Sequence, residues 1–391
     1  IFKVNFYILD KVIILFFLLI IVTGIFNDFK LYKFHNEFYS NRELASTIKS
    51  ILFLKYLLLY LIVRFLIENK NIQLNLFFIV CLFSSIFVCV DIFIQFIFGK
   101  DLFGFEIIDS GRRLGGPFKD ELIAGGYIQR FSIFSFFVLP LFFSNHSKNL
   151  SKFVIPVLFS IFVLGIILAG NRMPMLLFLF AISLICIFQK QTRRFFIPFL
   201  VIFTIIFSVL YKSNDQIRYH FLSFYERIIQ ISESISNNEF NKEYTPQYLR
   251  EFATFYDTWL MNKYLGGGIK NFRYYCHVRP NLQKDTKFIC NMHPHNYYLE
   301  ILTETGIIGF TIICLVFLIV LYRTFVKKYF LFSPLNHNNL IIPFIFLFIV
   351  EIFPIKSTGS FFTTGNATYL FLILGILIGL TRKNNSIENK S

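Results

Sequence analysis

Long apolar runs constrain this chain more than any other feature of its sequence. About ten of them are long enough to cross roughly 30 Å of hydrocarbon as helices. We place them at 9–26, 49–66, 74–98, 124–143, 153–170, 173–189, 195–211, 305–322, 338–354 and 366–381. Backbone groups inside a bilayer must find hydrogen-bond partners within the chain, and these runs lack the alternation of barrel strands. The sequence therefore predicts an all-α fold, a polytopic membrane helix bundle.

The composition agrees with this prediction and argues against a nucleic-acid-binding protein. Hydrophobic residues make up 55% of the chain, which has 56 phenylalanines and a single tryptophan. The formal net charge is +15, but the basic residues stand in short clusters between apolar runs. That arrangement is typical of membrane orientation signals rather than of a groove for a phosphate backbone. The first run lacks a small-residue cleavage site, so we expect it to be a retained span.

The basic clusters also predict an orientation. Three of them fall on one side if every span crosses once, and the positive-inside bias makes that side cytoplasmic. They are Lys190 with Arg193 and Arg194, Arg323 with Lys327 and Lys328, and Arg382 with Lys383. The chain then divides into membrane helices at 1–211, a large periplasmic loop at 212–303 and membrane helices at 304–391. The basic loop from Asn27 to Ser50 also falls outside and argues mildly against this orientation.

The large loop carries helical patterns and one pair of cysteines. Apolar residues recur in steps of four and three from Ile217 to Ile235, which predicts an amphipathic helix, and Thr245-Pro246 is a good start for a second one. These helices either lie on the outer membrane face as part of a cavity or pack on each other as a small cap. Cys276 and Cys290 are expected to form a disulfide, because an oxidising exterior permits one. The alternatives are two free thiols or a metal site with neighbouring histidines.

A polar cluster at the mouth of the run 305–322 is the first candidate site. It contains His293, His295, Glu300 and Glu304, and ionisable groups so close to hydrocarbon are costly and often functional. Histidine suits the removal of a proton from an alcohol at neutral pH. We therefore expect His295 to be a neutral general base, supported by Asn296, His293 and the two glutamates, with His293 as its rival for the role of the base. The alternative is that His295 only caps the helix and bonds the loop.

Basic residues on the expected outer side form the second candidate site. Arg112 and Arg113 stand in a glycine-rich loop, and Arg172 stands in a tight turn. Guanidinium groups grip phosphate oxygens in pairs, and outward-pointing helix N-termini add positive charge. We expect these arginines to bind an anion, with Lys270 and Arg273 as further cations. For Arg172 alone, extension of the side chain from a helix end towards water is an equally good interpretation.

Two acidic residues lie within expected spans. Asp91 and Glu351 are interpreted as partners of the site arginines or as markers of an ion path, and Lys55 and Arg64 as their counter-ions or as snorkelling side chains. No outer loop contains an Asp-x-Asp pair, so paired carboxylates holding a divalent metal are not expected. We expect neither a metal nor a cofactor.

Several of these residues together resemble the O-antigen ligase family, which is related to the Wzy-type polymerases of bacterial surface polysaccharide. The most specific feature is His295-Asn296 followed by nine residues, Gly306, two residues and Gly309. The stretches Asp91–Gln95 and Arg113–Phe118, the turn at Arg172 and the large loop before His295 also look like that family. The resemblance covers most of the chain from about residue 74.

The resemblance implies a glycosyltransferase on the periplasmic face of the bacterial inner membrane. It would move a glycan from undecaprenyl-pyrophosphate to an acceptor hydroxyl, most plainly as an O-antigen ligase acting on lipid A-core. Within the family, the alternatives are a polymerase that extends the glycan and a protein O-oligosaccharyltransferase. A flippase or transporter is the alternative from a different class, although such a protein does not need the large outer loop. A purely structural subunit would leave both candidate sites unexplained.

Overall fold

Helices account for nearly all regular structure of this protein. The computed structural model describes residues 6–34, 45–69, 71–108, 113–142, 148–238, 246–279, 290, 295–331, 340–356 and 359–388. Within those ranges there is no strand, and one isolated β-bridge joins Lys100 to Glu106. The predicted all-α class is therefore confirmed.

Fifteen α-helices follow one another along the described residues. They are α1 (Ile8–Phe34), α2 (Ala45–Glu68), α3 (Leu74–Phe98), α4 (Ala124–Phe131), α5 (Ser135–Phe142), α6 (Lys148–Leu168), α7 (Arg172–Phe188), α8 (Lys190–Arg193), α9 (Phe196–Ser213), α10 (Asp215–Ser236), α11 (Gln247–Leu260), α12 (Phe272–Tyr275), α13 (Tyr297–Leu321), α14 (Ile342–Glu351) and α15 (Thr364–Glu388). Short 3-10 turns occur at Gly116–Phe118, Ser132–Phe134 and Cys276–Val278, and Tyr322–Leu331 is π-helical.

Six of these helices are long and apolar enough to cross a membrane, by length and composition. They lie at Ile8–Lys30, Ala45–Glu68, Leu74–Phe98, Phe196–Ser213, Tyr297–Lys327 and Thr364–Arg382. Three further apolar helices are shorter, at Phe153–Leu168, Arg172–Phe188 and Ile342–Glu351. The protein is thus a polytopic membrane protein, although several helices differ in length from the runs that the sequence suggests.

The expected span at 124–143 shows the largest difference, because it is divided into α4 and α5 by a 3-10 turn at Ser132–Phe134. Its first half contains the pair Gly125-Gly126, and glycine is a poor helix former. It also carries Gln129 and Arg130, so the run is less apolar than its outer ends suggest. These residues make the first half a weaker apolar helix than the ends of the run suggest, and the break follows them at Ser132–Phe134.

The helices group into two compact units. The first unit comprises Ile1–Asn71, Arg227–Leu335 and Glu351–Ser391. In it, α2 packs against α1 and α15, and α13 packs against α1 and α11. A buried ion pair joins Arg64 to Asp10 at 2.7 Å, and the hydroxyl of Tyr60 donates to the same carboxylate at 2.6 Å. The counter-ion of Arg64 is therefore Asp10, and the sequence-based pairing of Arg64 with Asp91 or Glu351 is wrong.

The second unit comprises Ile72–Glu226 and Asn336–Val350. In it, α6 packs against α3, α4 and α9, and α4 also packs against α7. Phenylalanine rings fill much of its interior: Phe134 lies 4.9 Å from Phe344 and 5.1 Å from Phe78, measured between ring centroids. Such tilted ring contacts are a favourable arrangement for aromatic side chains and contribute to the packing of this unit.

The large segment before α13 is partly helical, as its periodicity suggests. The two predicted helices correspond to α10 and α11, and α11 begins directly after Pro246. A disulfide joins Cys276 to Cys290, the pair expected from the sequence, with 5.7 Å between the Cα atoms. Beside it, the rings of Phe255 and Phe272 stack with centroids 3.5 Å apart. This small apolar core with its disulfide gives the segment a defined structure of its own.

Candidate functional site

The N-terminus of α13 is the best-defined polar site of the first unit. Asn296 caps the helix: its side-chain oxygen accepts from the backbone N–H groups of Tyr298 at 2.9 Å and Leu299 at 3.2 Å. Its side-chain nitrogen donates to the carbonyl of Pro354 at 2.7 Å. His295 directly precedes this cap and is half-buried. His295 therefore directly precedes a helix start that Asn296 bonds both to the first turn of α13 and to Pro354.

Two tyrosines continue the attachment of α13 to the segment 351–356. The Tyr297 hydroxyl donates to Glu351 at 2.6 Å, and Lys356 donates to the same carboxylate oxygen at 2.5 Å. All three side chains are at most 4% exposed. The Tyr298 hydroxyl donates to the carbonyl of Ile352. Glu351 is therefore paired with a lysine, and the sequence-based pairing of Glu351 with an arginine is not what the structure shows.

The two glutamates of the predicted site are both buried and have different partners. Glu300 accepts from the hydroxyl of Ser360 and from the backbone N–H of Phe361, each at 2.5 Å. Glu304 accepts from the backbone N–H of Lys270, and burial and the charge of Glu300 act against its carboxylate while the charges of Lys49 and Lys270 favour it. One oxygen of Glu304 has no hydrogen-bond partner among the described residues. Both carboxylates therefore serve mainly to tie α13 to neighbouring loops.

A break in α13 at Gly306 is held by the glycine segment 266–268. Gly306 has φ of 65°, a conformation that favours glycine. On one side of the break, the N–H groups of Gly267 and Gly268 donate to the carbonyls of Thr303 and Glu304, each at 2.9 Å. On the other side, the N–H of Ile307 donates to the carbonyl of Lys263 at 2.9 Å. The segment 263–268 thus replaces backbone hydrogen bonds that the helix loses at the break.

The predicted cations Lys270 and Arg273 follow this glycine segment. Lys270 has φ of 59°, which places it in a left-handed turn that is unusual for a lysine. Arg273 is half-buried and lies over the ring of Tyr274 at 5.9 Å from its centroid. Further along, Arg279 donates to the carbonyl of Cys276 at 2.6 Å. Burial lowers the pKa of Arg279, while nearby Asp257 acts in the opposite direction.

Arg172 in the second unit has partners that the sequence did not suggest. Its guanidinium donates from Nε to Nε2 of His220 at 3.0 Å and from Nη2 to Oγ of Ser223 at 2.7 Å. It also lies over the ring of Phe224, 5.3 Å from the centroid. The preceding Asn171 accepts from the N–H of Gly125 at 3.1 Å. The arginine therefore links the start of α7 to α10 through one edge of its planar group, formed by Nε and Nη2.

Asp91 and Gln95 of α3 hold the loop that leads to Arg113. Asp91 is fully buried and accepts from the N–H of Leu102 at 2.9 Å. Gln95 accepts from the N–H of Gly116 at 2.9 Å. The partner of Asp91 among the described residues is thus a loop backbone, whereas the sequence suggested an arginine. Arg113 is half-buried at the start of this described loop segment.

Each unit thus holds its own part of the predicted set. The first contains His295, Asn296, Glu300, Glu304, Glu351, Lys270, Arg273, Cys276 and Cys290, and the second contains Asp91, Arg113 and Arg172. Arg112 and His293 lie outside the described residues. The partners that sequence reasoning missed are His220, Tyr297, Lys356 and Ser360. Only their partners in space distinguish them, because each stands in an ordinary sequence context.

Part of the chain matches a known protein family. Residues 157–314 match the family model described as O-Antigen ligase. No curated protein matches the chain significantly. The matched range includes Arg172, His295 and the break at Gly306. The match supports the O-antigen ligase family, and with the spanning helices it points to a bacterial membrane enzyme of the ligase or polymerase type that acts on glycans.

Proposed function

Because residues 157–314 match the O-antigen ligase family, we propose that this protein transfers a glycan from undecaprenyl-pyrophosphate to an acceptor hydroxyl. The acceptor we favour is a sugar of lipid A-core, which makes the protein an O-antigen ligase. The observation that carries the proposal is the place of His295: it stands inside the matched range, half-buried, directly before a capped helix.

The proposed reaction needs a base and a site for negative charge. The acceptor oxygen bonds to the anomeric carbon of the glycan, the bond from that carbon to the pyrophosphate oxygen breaks, and undecaprenyl-pyrophosphate leaves. The acceptor proton passes to His295, which acts as general base. A pyrophosphate ester is already a good leaving group, so fixed cations that stabilise its charge are sufficient, and the proposal uses no metal.

We assign the binding of the pyrophosphate to Arg112, Arg113 and Arg172, with Lys270 and Arg273 as further cations. A role for Arg172 is supported by the edge formed by Nε and Nη2, which already binds two polar partners at once. A ring nitrogen and a hydroxyl are weaker acceptors for a guanidinium than charged phosphate oxygens are. We therefore expect the pyrophosphate of a bound donor to replace His220 and Ser223 as partners of Arg172.

We further propose that the protein lies in the inner membrane with its site on the periplasmic side. The support is the sequence of basic clusters after the expected sixth, eighth and tenth spans, which face the cytoplasm under the positive-inside bias. The disulfide between Cys276 and Cys290 agrees with this orientation, because such bonds persist in oxidising compartments.

A deletion strain tests the proposal. We expect the deletion strain to lose polysaccharide attached to lipid A-core and to accumulate carrier-linked polymer. The wild-type gene should restore the attachment, and the His295→Ala variant should not. His277→Ala is the matched control, since His277 is an exposed histidine of the same unit. Caps of a single repeat would identify a polymerase instead, and a loss confined to glycosylated proteins would identify a protein transferase. Unchanged glycans with altered solute uptake would contradict the proposal and indicate a transporter.

A further inference from the structure

A buried charged network lies beside the proposed base. Lys356 and Glu351 form an ion pair at 2.5 Å, with side chains 4% and 1% exposed. The hydroxyl of Tyr297 touches both members, at 2.6 Å from the carboxylate and 3.2 Å from the ammonium. The ammonium also lies 4.4 Å from the centroid of the Tyr297 ring. Three elements of the chain therefore meet at one phenol two residues after His295.

Such a network contributes little to stability for its cost. Removing each of the two charges from water is costly, and a well-packed apolar pair of the same volume is often as stable. A fully bonded polar network does, however, fix one geometry more strictly than apolar contacts do. The network is thus better suited to setting the position of its neighbours than to holding the fold together.

The neighbours that it positions belong to the first turn of α13. Asn296 bonds to the carbonyl of Pro354 at 2.7 Å, and Tyr298 bonds to the carbonyl of Ile352. With Tyr297 between them, three consecutive residues after His295 are attached to the segment 351–356. An error of about 1 Å in the position of a catalytic group can reduce a rate about a hundredfold. The precision of this attachment is therefore relevant to catalysis by His295.

We propose that Tyr297, Glu351 and Lys356 form a network that positions His295. Tyr297 connects the ion pair to the first turn of α13, which His295 precedes. This inference rests on the proposed function. None of the three side chains needs to touch the substrate, and their effect is to hold the backbone from which the imidazole extends.

Tyr297→Phe is the sharpest variant, because it removes the hydroxyl and keeps the ring contact with Phe361, whose centroid is 5.7 Å away. We expect kcat for glycan transfer to fall about tenfold while KM for the lipid-linked donor stays within about twofold. Tyr275→Phe is the matched control: its buried hydroxyl donates to Asn27 at 2.7 Å in the same unit. That variant should keep kcat within about twofold at equal folded protein.

A charge-neutral pair separates positioning from folding. Glu351→Gln leaves the ammonium of Lys356 buried without its counter-ion and should lower both thermal stability and kcat. Adding Lys356→Met removes that charge, and the glutamine still accepts from Tyr297, so the double variant should recover most of the lost kcat. Without such recovery, or with equal losses in Tyr297→Phe and Tyr275→Phe, the positioning role is refuted. If His295→Ala itself turns over normally, the proposed function fails instead.

Discussion

Arg172 has a structural role in the fold, and we propose that it also binds the donor pyrophosphate. Its two bonded nitrogens, Nε and Nη2, lie on one edge of a planar fork and reach His220 and Ser223 at the same time. A lysine has a single ammonium with no fixed fork and cannot keep both contacts in one plane. The same fork is what a pyrophosphate would require.

Arg172→Lys should therefore reduce glycan transfer at least about tenfold at normal protein level, since each lost charged bond is worth more than 1 kcal/mol. The matched control is Arg218→Lys, because Arg218 is exposed on α10 and its partner Asp215 is one turn away. Transfer is measured in membranes with equal amounts of each variant. Full activity of Arg172→Ala would leave the residue with only its structural contacts to His220 and Ser223.

At this scale, the sequence predicts residues whose role depends on local context. His295, Asn296 and the cap form a contiguous motif, and Cys276 and Cys290 are the one pair in the large outer segment. Partners brought together by tertiary folding were not predicted. Lys356 stands 59 residues from Tyr297 and reads as an ordinary loop lysine. Charge and hydropathy alone do not reveal such distant pairs.

The broken helix α13 is the element on which both the site and the loop depend. Its first part carries the capped turn after His295, and its second part is the membrane span. Between them, four backbone groups that the break leaves without helical partners are bonded from outside the helix, two by Gly267 and Gly268 and two by the carbonyls of Lys263 and Tyr264. The Gly306 and glycine-segment pattern was visible in the sequence, but a long apolar run hides a break because periodicity continues across it.

Gly306→Ala should destabilise the protein by about 3 kcal/mol or more. The positive φ already costs a side chain of this type about 1–3 kcal/mol. In addition, a Cβ atom here would lie 2.1 Å from the carbonyl oxygen of Tyr264. The measurement is thermal unfolding in detergent, with Gly365→Ala as control because a Cβ at that helical position meets no atom within 4 Å. An unchanged unfolding temperature of Gly306→Ala would contradict the close contact between Gly306 and Tyr264.

The all-α membrane class of the chain was predictable from its sequence, and the lengths and grouping of its helices were not. Hydrophobic runs predict membrane helices because the bilayer leaves few alternatives. They do not reveal that the run at 124–143 divides, or that α14 is only ten residues long. The division into two units depends on contacts between distant segments, such as α2 with α15, which no local pattern contains.

Turnover by purified protein tests whether His295 takes the proton from the acceptor hydroxyl during glycan transfer. With a synthetic undecaprenyl-pyrophosphate glycan and a lipid A-core acceptor, the wild type should release one undecaprenyl-pyrophosphate for each glycan transferred. His295→Asn keeps a polar side chain at the helix entry and removes the base, so it should bind the donor normally and fail to turn over. Near-normal turnover by His295→Asn would contradict the role of His295 as the base and leave it as a structural residue.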